Sequence, residues 1–434
     1  MSLAIVDGHV LEPDLTVREA DVLVDPAEGT IAEIGDDLAG QAHETLDASE
    51  GLVIPGLVNA HCHAAMTLLR GYADDKSLDA WLQEDIWPVE AALTPADIRV
   101  GTELGVLEMI KAGTTSFVDM YFEMDQVVDV VERAGVRAVL GHGVIAAGKD
   151  HAAAVADAET GLEFARAHDG AADGRIRTAF MPHSLTTVTP ELYEAFVPRA
   201  RRAGLPIHLH ANETVAEVEP ILEDHGVRPL EYARDLGLLE PEDFLAHGVH
   251  LDHAEIELLA ETGTGVAHCP ASNMKLASGL APVQAMLEAG VDVAIGTDGA
   301  ASNNDLSTFD ELRDAAMVGK IAAEDAGAVD AGAVVSMATA GGARVTGLAD
   351  DQPGLGRIEA GAPADLAVID FAVPHLTPVT DHVSHLAYAV AAADVRHTIC
   401  DGRVLMADRA VQTLDEAAIR AAASERAEAL YERA

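Results

Sequence analysis

Between residues 53 and 300 the chain alternates short apolar runs with longer amphipathic stretches. The runs are VIPGLVNAHCH, TTSFVDMY, VRAVLGHGV, IRTAFMPHS, PIHLHANE, DFLAHGVHL, TGVAHCPASN and DVAIGTDGA. Segments this short and this continuously apolar suit strands buried on both faces, as in a parallel sheet. Most of the intervening stretches read as helices, for example DIRVGTELGVLEMIKAG and PVQAMLEAG, and stop at glycine. Strands alternating with helices predict a parallel sheet, and eight repeats predict its closure into a (β/α)8 TIM barrel over residues 53–354.

The two ends have a different texture. LAIVDGHVL, ADVLVD and TIAEIG near the start, and GRIEAGAPADLAVIDF, VRHTICDG and RVLMADRAVQ near the finish, alternate apolar and polar positions with Gly or Asp punctuation. The expected arrangement joins residues 1–52 and 355–413 as one small β-sandwich domain, with the barrel inserted between them. A C-terminal helix over 414–434 follows, amphipathic from Leu414 to Arg433, with Thr413 as its expected cap.

Composition narrows the classes of function. A hydrophobic fraction of 49% excludes a largely disordered chain. No run reaches the roughly 18 apolar residues a membrane span needs. The opening MSLAIVDGHVLEPD lacks the basic region of a signal peptide, so a cytoplasmic location is expected. A formal charge of −46 argues against nucleic acid or an anionic membrane as partner. The acids are spread along the chain, and lysine is confined to Lys76, Lys111, Lys149, Lys275 and Lys320. Such a surface suits a salt-rich, halophilic cytoplasm, where ions screen self-repulsion. Cys62, Cys269 and Cys400 form no C-x-x-C pair and are too scattered for a disulfide framework.

The apolar runs turn polar at their last residues. His61 and His63, His183, His210 with Glu213, His247 and Asp298 all fall at or just past predicted strand ends. In a barrel of this kind those ends form one face, which carries the active site. His61 and His63, two apart on a strand, face the same side, whereas Cys62 between them faces the other. With His210 and Asp298 they make three imidazoles and one carboxylate, a set suited to one divalent metal such as zinc, with Fe(II) the alternative. Water bound beside such an ion has its pKa lowered to about 7. Glu213 is placed to take that water's proton and pass it to a leaving nitrogen, and His247 to orient the water. His208 shares a face with His210, which leaves two candidates on one strand, while His250 and His268 read as structural. IRTAFMPHSLTT contains no lysine of the kind that bridges paired metals on this fold, so one metal is expected.

The segments GLVIPGLVNAHCHAAMTLLRGYADD, WLQEDIWPVE, TTSFVDMY, HLHANET, LAHGVHLD, ASNMKL and GTDGAASNN together resemble the amidohydrolase superfamily. Within it they are most similar to 5-methylthioadenosine/S-adenosylhomocysteine deaminases, over nearly the whole chain. The resemblance implies that His61, His63, His210 and Asp298 hold the metal, which selects His210 over His208. It implies Glu213 as proton shuttle and His247 acting with Asp298 on the water. It also implies Glu90, in WPVE, as the ribose-binding carboxylate and His183 as a substrate-binding histidine. The reaction implied is hydrolytic attack at C6 of an adenosine-type nucleoside, giving the inosine analogue and ammonia. Family members often carry an arginine after the third strand for an amino-acid carboxylate; here His142 stands in that place, followed only by Lys149. Histidine is the weaker carboxylate partner, so nucleosides without that tail are expected to be at least as good substrates. The rivals are an s-triazine chlorohydrolase or aminohydrolase, a guanine deaminase, and a non-catalytic scaffold. A homo-oligomer is expected by analogy.

Overall fold

The computed structural model describes residues 2–434. Among them, eight parallel strands close into a ring. The first to third are Leu57–His63, Thr114–Tyr121 and Arg137–Val144, and the fourth runs as Ile176–Thr178 and Met181–Pro182. His208–Ala211, Phe244–His247 and Gly265–His268 are the fifth to seventh, and the eighth runs as Val293–Ile295 and Asp298–Gly299. Parallel bridges Phe180–Ile207 and Ser184–His210 join the fourth to the fifth. Asp298 pairs with Cys62 to close the ring. Two strands are broken where the sequence predicts continuous runs. In the eighth, Gly296 marks the break: a Cβ there would lie 2.9 Å from the Cβ of His61, so only glycine lets the strand pass that residue.

The interior is filled by alternate residues, among them Val58, Ala60, Val118, Met120, Val139, Phe244, Ala267 and Ala294. Strict alternation from Val58 and Ala60 would turn His61 outward. A register shift between Asn59 and Cys62 prevents this, because Asn59 faces Phe117 while Cys62 already faces Asp119. One extra residue is accommodated there, a bulge of the kind found beside active sites, and it turns His61 and His63 inward. Cys62 joins the apolar layer under the helices, fully buried.

The chain ends build two further sheets. One has the order Thr30–Gly35, Asp21–Asp25, Leu3–Val6, Glu44–Asp47. The other runs from Ala410–Val411 through Arg403–Ala407, Val395–Cys400, Leu366–Asp370, Gly51–Pro55 and His9–Leu11 to Val17–Glu19. Ile5, Val22, Val24, Val53, Val368 and Ile399 meet between them as one buried cluster. Gly51–Pro55 pairs along its length with Leu366–Asp370, so the chain leaves this sheet at Pro55, slightly beyond residue 52. Fully buried Arg137 of the third barrel strand donates to both carboxylate oxygens of Asp365 (3.0 and 3.1 Å) and to Asp401 (2.7 Å), which ties the barrel to this domain.

The C-terminal helix spans Glu416–Arg433, and its cap is Asp415 rather than Thr413. The Asp415 carboxylate accepts from the Ala418 amide at 3.0 Å, whereas the Thr413 hydroxyl is buried without a partner. The helix lies along Pro95–Lys111 through Lys111–Glu416 (2.9 Å) and Arg433–Asp97 (2.6 Å). Among the described residues no helix is long and apolar enough to cross a membrane.

Candidate metal centre and active site

The polar residues at the strand ends converge on the C-terminal mouth of the barrel. Nε2 of His61 and of His63 lie 3.5 and 3.2 Å from Oδ1 of Asp298. Nε2 of His210 lies 3.4 Å from that of His63. Ligand-capable atoms of His61, His63 and Asp298, and of His61, His210 and His247, all approach within 4.8 Å of one another.

Hydrogen bonds on the far side of each ring settle which nitrogen faces the centre. His63 Nδ1 donates to the carbonyl of Met120 (2.6 Å), and His210 Nδ1 to that of His183 (2.8 Å). Carbonyls only accept, so in the neutral rings both Nε2 atoms present lone pairs inward. His61 is held through a relay. His208 Nδ1 donates to the Phe244 carbonyl (2.9 Å), leaving His208 Nε2 to accept from His61 Nδ1 (2.8 Å). The Nε2 of His61 is then a lone pair, buried and without a hydrogen-bond partner. Burial lowers the pKa of His61 to about 4, which favours the neutral ring, whereas the Asp298 carboxylate, working against burial, raises that of His63 to about 9, so the His63 lone pair is free only once its second proton leaves. Asp298 Oδ2 accepts from Ser272 Oγ (2.6 Å) and Ser302 Oγ (2.7 Å), which leaves Oδ1 for the centre. Three inward lone pairs and a clamped carboxylate fit a divalent cation with nitrogen and oxygen ligands. His208 supports His61 from the layer beneath and does not compete with His210.

His247 is wired differently. With the Asn273 amide nitrogen 3.0 Å from His247 Nδ1, that ring nitrogen accepts and the proton stays on Nε2, which lies 3.5 Å from Glu213 Oε2. Glu213 is buried, and desolvation, reinforced by the charge of Asp298, raises its pKa to about 8. It is therefore a carboxylic acid near neutrality, suited to giving up a proton. Ser278 Oγ donates to its Oε1 at 3.2 Å. Asn212, His247 and Asp298 have φ of 54, 77 and 60°, left-handed values that cost non-glycine residues energy and cluster at functional sites.

The amidohydrolase family profile matches residues 52–405.

This chain belongs to the amidohydrolase family.

The amidohydrolase is 64% identical over 433 residues to the 5-methylthioadenosine/S-adenosylhomocysteine deaminase of Halobacterium salinarum, covering 100% of this chain and 99% of that protein. It is 43% identical over 435 residues to the 5'-deoxyadenosine deaminase of Methanosarcina acetivorans, with 100% and 99% covered. Among solved structures, a zinc-bound adenosine deaminase from Xanthomonas campestris superposes with a TM-score of 0.92 at 37% identity, covering 99% of this chain and 98% of that one. The zinc-bound atrazine chlorohydrolase TrzN of Arthrobacter aurescens matches with a TM-score of 0.88 at 24% identity, covering 98% of this chain and 100% of that one, and shares the fold.

In this amidohydrolase a cleft opens beside the cluster, with His63, His183, His210, Glu213, His247 and Asp298 in its floor. One wall is apolar: Leu78, Trp81, Leu82 and Trp87 from one segment, Phe122 and Ile145 from the loops after the second and third strands. The segment includes a π-helical stretch, Trp81–Ile86, a form that recurs at functional sites. It ends with Glu90, which lines the cleft and accepts from the Tyr121 hydroxyl at 2.6 Å. Burial raises the Glu90 pKa to about 7. Among the described residues neither lysine nor arginine lines the cleft.

His142 is not in the cleft. Gly143 lines it, and on a strand His142 must face the opposite way, into an outer groove with Asp125 and His168. Asp157 accepts from His142 Nε2 (3.0 Å) and from Lys149 Nζ (2.8 Å). His250 Nε2 donates to the Ser278 carbonyl at 2.7 Å. His268 is buried with both ring nitrogens unpaired, apart from the cluster. Sequence reasoning missed Glu217, Tyr121, Ser272, Asn273 and Ser302. Ser272, Asn273 and Ser302 sit inside motifs already singled out, and Glu217 lies one helical turn past Glu213. Nothing in their residue types marks them until the loops are assembled.

Proposed function

We propose that this amidohydrolase is a metal-dependent hydrolytic deaminase that converts an adenosine-type nucleoside to its inosine analogue and ammonia. The observation that carries the reading is the pairing of inward histidine lone pairs and Asp298 with a protonated Glu213 in one cleft. The names borne by the relatives from Halobacterium salinarum and Methanosarcina acetivorans point to the same substrate class. His61, His63, His210 and Asp298 would hold the ion, and zinc is favoured over Fe(II) by the nitrogen-rich set and by the zinc-bound neighbour. Bound there, a divalent cation supplies water acidified to near neutrality.

The chain's own groups do the rest. Glu213 moves protons between the attacking water and the nucleobase nitrogens, a contribution of about 10²–10⁴-fold. His247 Nε2–H and Asp298 orient the attacking oxygen. Glu90, ionised and steadied by Tyr121, accepts from the ribose hydroxyls, and His183 borders the same floor. Burial lowers the His183 pKa to about 3, so it acts as a neutral ring.

A cleft lined by neither lysine nor arginine suits nucleosides with an uncharged 5' substituent. Asp157 occupies Lys149, the basic residue of the adjoining loop, so an amino-acid carboxylate finds no partner there. 5'-Methylthioadenosine and 5'-deoxyadenosine are thus the favoured substrates over S-adenosylhomocysteine. The protein acts as a cytoplasmic homo-oligomer in this reading.

The test is ammonia release from a panel of adenosine-type nucleosides, guanine and an s-triazine in concentrated KCl, with metal-stripped enzyme as control. Deamination of the nucleosides, lost on stripping and restored by zinc, is expected. Turnover of guanine or the triazine with none of the nucleosides would overturn the reading.

A further inference from the structure

Glu213 sits on a turn that is unusually well anchored by residues outside the cleft. Asn212 precedes it with a left-handed φ of 54°, and its side-chain amide donates to both oxygens of Glu255 (3.1 Å each). Glu255 is fully buried and does not line the cleft. The same carboxylate also collects the Arg228 guanidinium (2.9 Å) and the amides of Leu230 (3.0 Å) and Asp252 (3.1 Å). Its donors thus come from the loop after the fifth strand, the start of helix Pro229–Asp235 and the start of helix His253–Thr262.

The network then returns to Glu213. Arg228 and Asn212 both donate to the His250 carbonyl (2.6 and 3.3 Å). The His250 ring donates to the Ser278 carbonyl, and the Ser278 hydroxyl donates to the Glu213 carboxyl. On the cleft side, Glu217 accepts from the Glu213 amide at 2.8 Å. The backbone of Glu213 is therefore held from behind and in front, and its carboxyl is held at the end of the same chain of bonds.

We infer that Glu255 is a positioning residue for proton transfer. Through Asn212 and the His250–Ser278 link it fixes where the Glu213 carboxyl points, with Glu217 completing the hold. The inference rests on Glu213 being the proton carrier. A carboxyl that must reach both water and a nucleobase nitrogen tolerates little displacement, and an error of about 1 Å can cost 10²-fold in rate. A buried carboxylate with this many donors over-determines a bend that would otherwise relax.

The experiment compares Glu255→Gln and Asn212→Gly with the parent, alone and combined with Glu213→Gln, in zinc-loaded full-length enzyme. Each single variant should lower kcat by roughly 10- to 100-fold, with KM and zinc content within about twofold of the parent. Asn212→Gly is informative because glycine keeps the left-handed bend without strain but loses the tie to Glu255. If only backbone conformation mattered, that variant would be neutral, and the inference fails. It also carries the test should Glu255→Gln not fold. In the Glu213→Gln background neither substitution should reduce kcat further, since residues acting through Glu213 have nothing left to position. Equal fractional losses with and without Glu213, or losses confined to KM or zinc, overturn the inference. Undiminished turnover by Glu213→Gln itself instead removes the proton-carrier assignment, so the two failures are separable.

Discussion

Glu213 is buried and Glu90 half-buried, and the proposed reaction uses the two carboxyls in opposite states. Glu213, raised to about 8 by burial and then by Asp298, donates; Glu90, raised only to about 7 and bonded by Tyr121, accepts once ionised. Replacing Glu213 with Gln should cut kcat by about 10²–10⁴-fold while the metal stays bound, as metal analysis of the purified variant would show. For Glu90 the sign follows from its charge: below about pH 7 it is protonated and loses acceptor capacity, above it is ionised. The nucleoside kcat/KM should therefore fall as pH drops through about 7, and this limb should vanish in Glu90→Gln. That variant should also lose about 10- to 150-fold in kcat/KM, the equivalent of one hydrogen bond to a charged group. A Glu90→Gln profile that keeps the acid limb assigns it elsewhere. Ser272 and Ser302 belong to the same scale. Removing both hydroxyls frees Asp298 Oδ2 and should weaken metal affinity by about 10- to 100-fold in a chelator competition.

At the scale of elements, the choice among nucleosides in the proposed reaction falls to the loop after the third strand and the segment Leu78–Glu90, both of which line the cleft. Asp157 sits under the loop and accepts the Ile145 amide (2.9 Å) as well as His142 and Lys149. Asp157→Asn keeps an acceptor for the amide but removes the charge that holds Lys149. It should raise kcat/KM for S-adenosylhomocysteine relative to 5'-methylthioadenosine by up to about fivefold, the worth of one partly exposed ion pair. An unchanged ratio means Lys149 cannot reach the substrate tail. The C-terminal helix packs on the stretch of chain that leads into the other wall, with Tyr431 stacked on Tyr72 at a ring-centroid distance of 4.8 Å. The amphipathic pattern announced this helix, but its cap lies at Asp415 because only that carboxylate reaches the first free amides. In the third strand, alternation turns His142 away from the cleft. A motif alignment carries no information about which way a side chain faces.

For the whole molecule the dominant quantity is charge. At −46 over 434 residues, self-repulsion opposes compaction unless salt shortens its reach, from roughly 10 Å at 0.1 M to 3 Å at 1 M. Dialysis into dilute buffer should unfold the protein and abolish activity, with circular dichroism and ammonia release falling together. Full structure at low salt would show that the acids are balanced locally. The even spread of acids bears on stability and on the exclusion of polyanions; it leaves the chemistry to the strand ends.

The amino-acid sequence by itself determined the barrel, the mixed terminal domain and the list of polar residues at strand ends, because apolar period and strand–helix alternation are local properties of the chain. It also held the motifs that single out His61, His63, His210, Glu213 and Asp298. Only the tertiary structure decided how those residues face and what protonation they carry. The bulge after Asn59 turns His61 and His63 inward, the His208 ring sets the tautomer of His61 while carbonyls set those of His63 and His210, and Ser272 and Ser302 choose the free oxygen of Asp298. These are contacts between segments up to 147 positions apart, and their energies depend on burial and direction, neither of which is a property of a residue in its own stretch of chain.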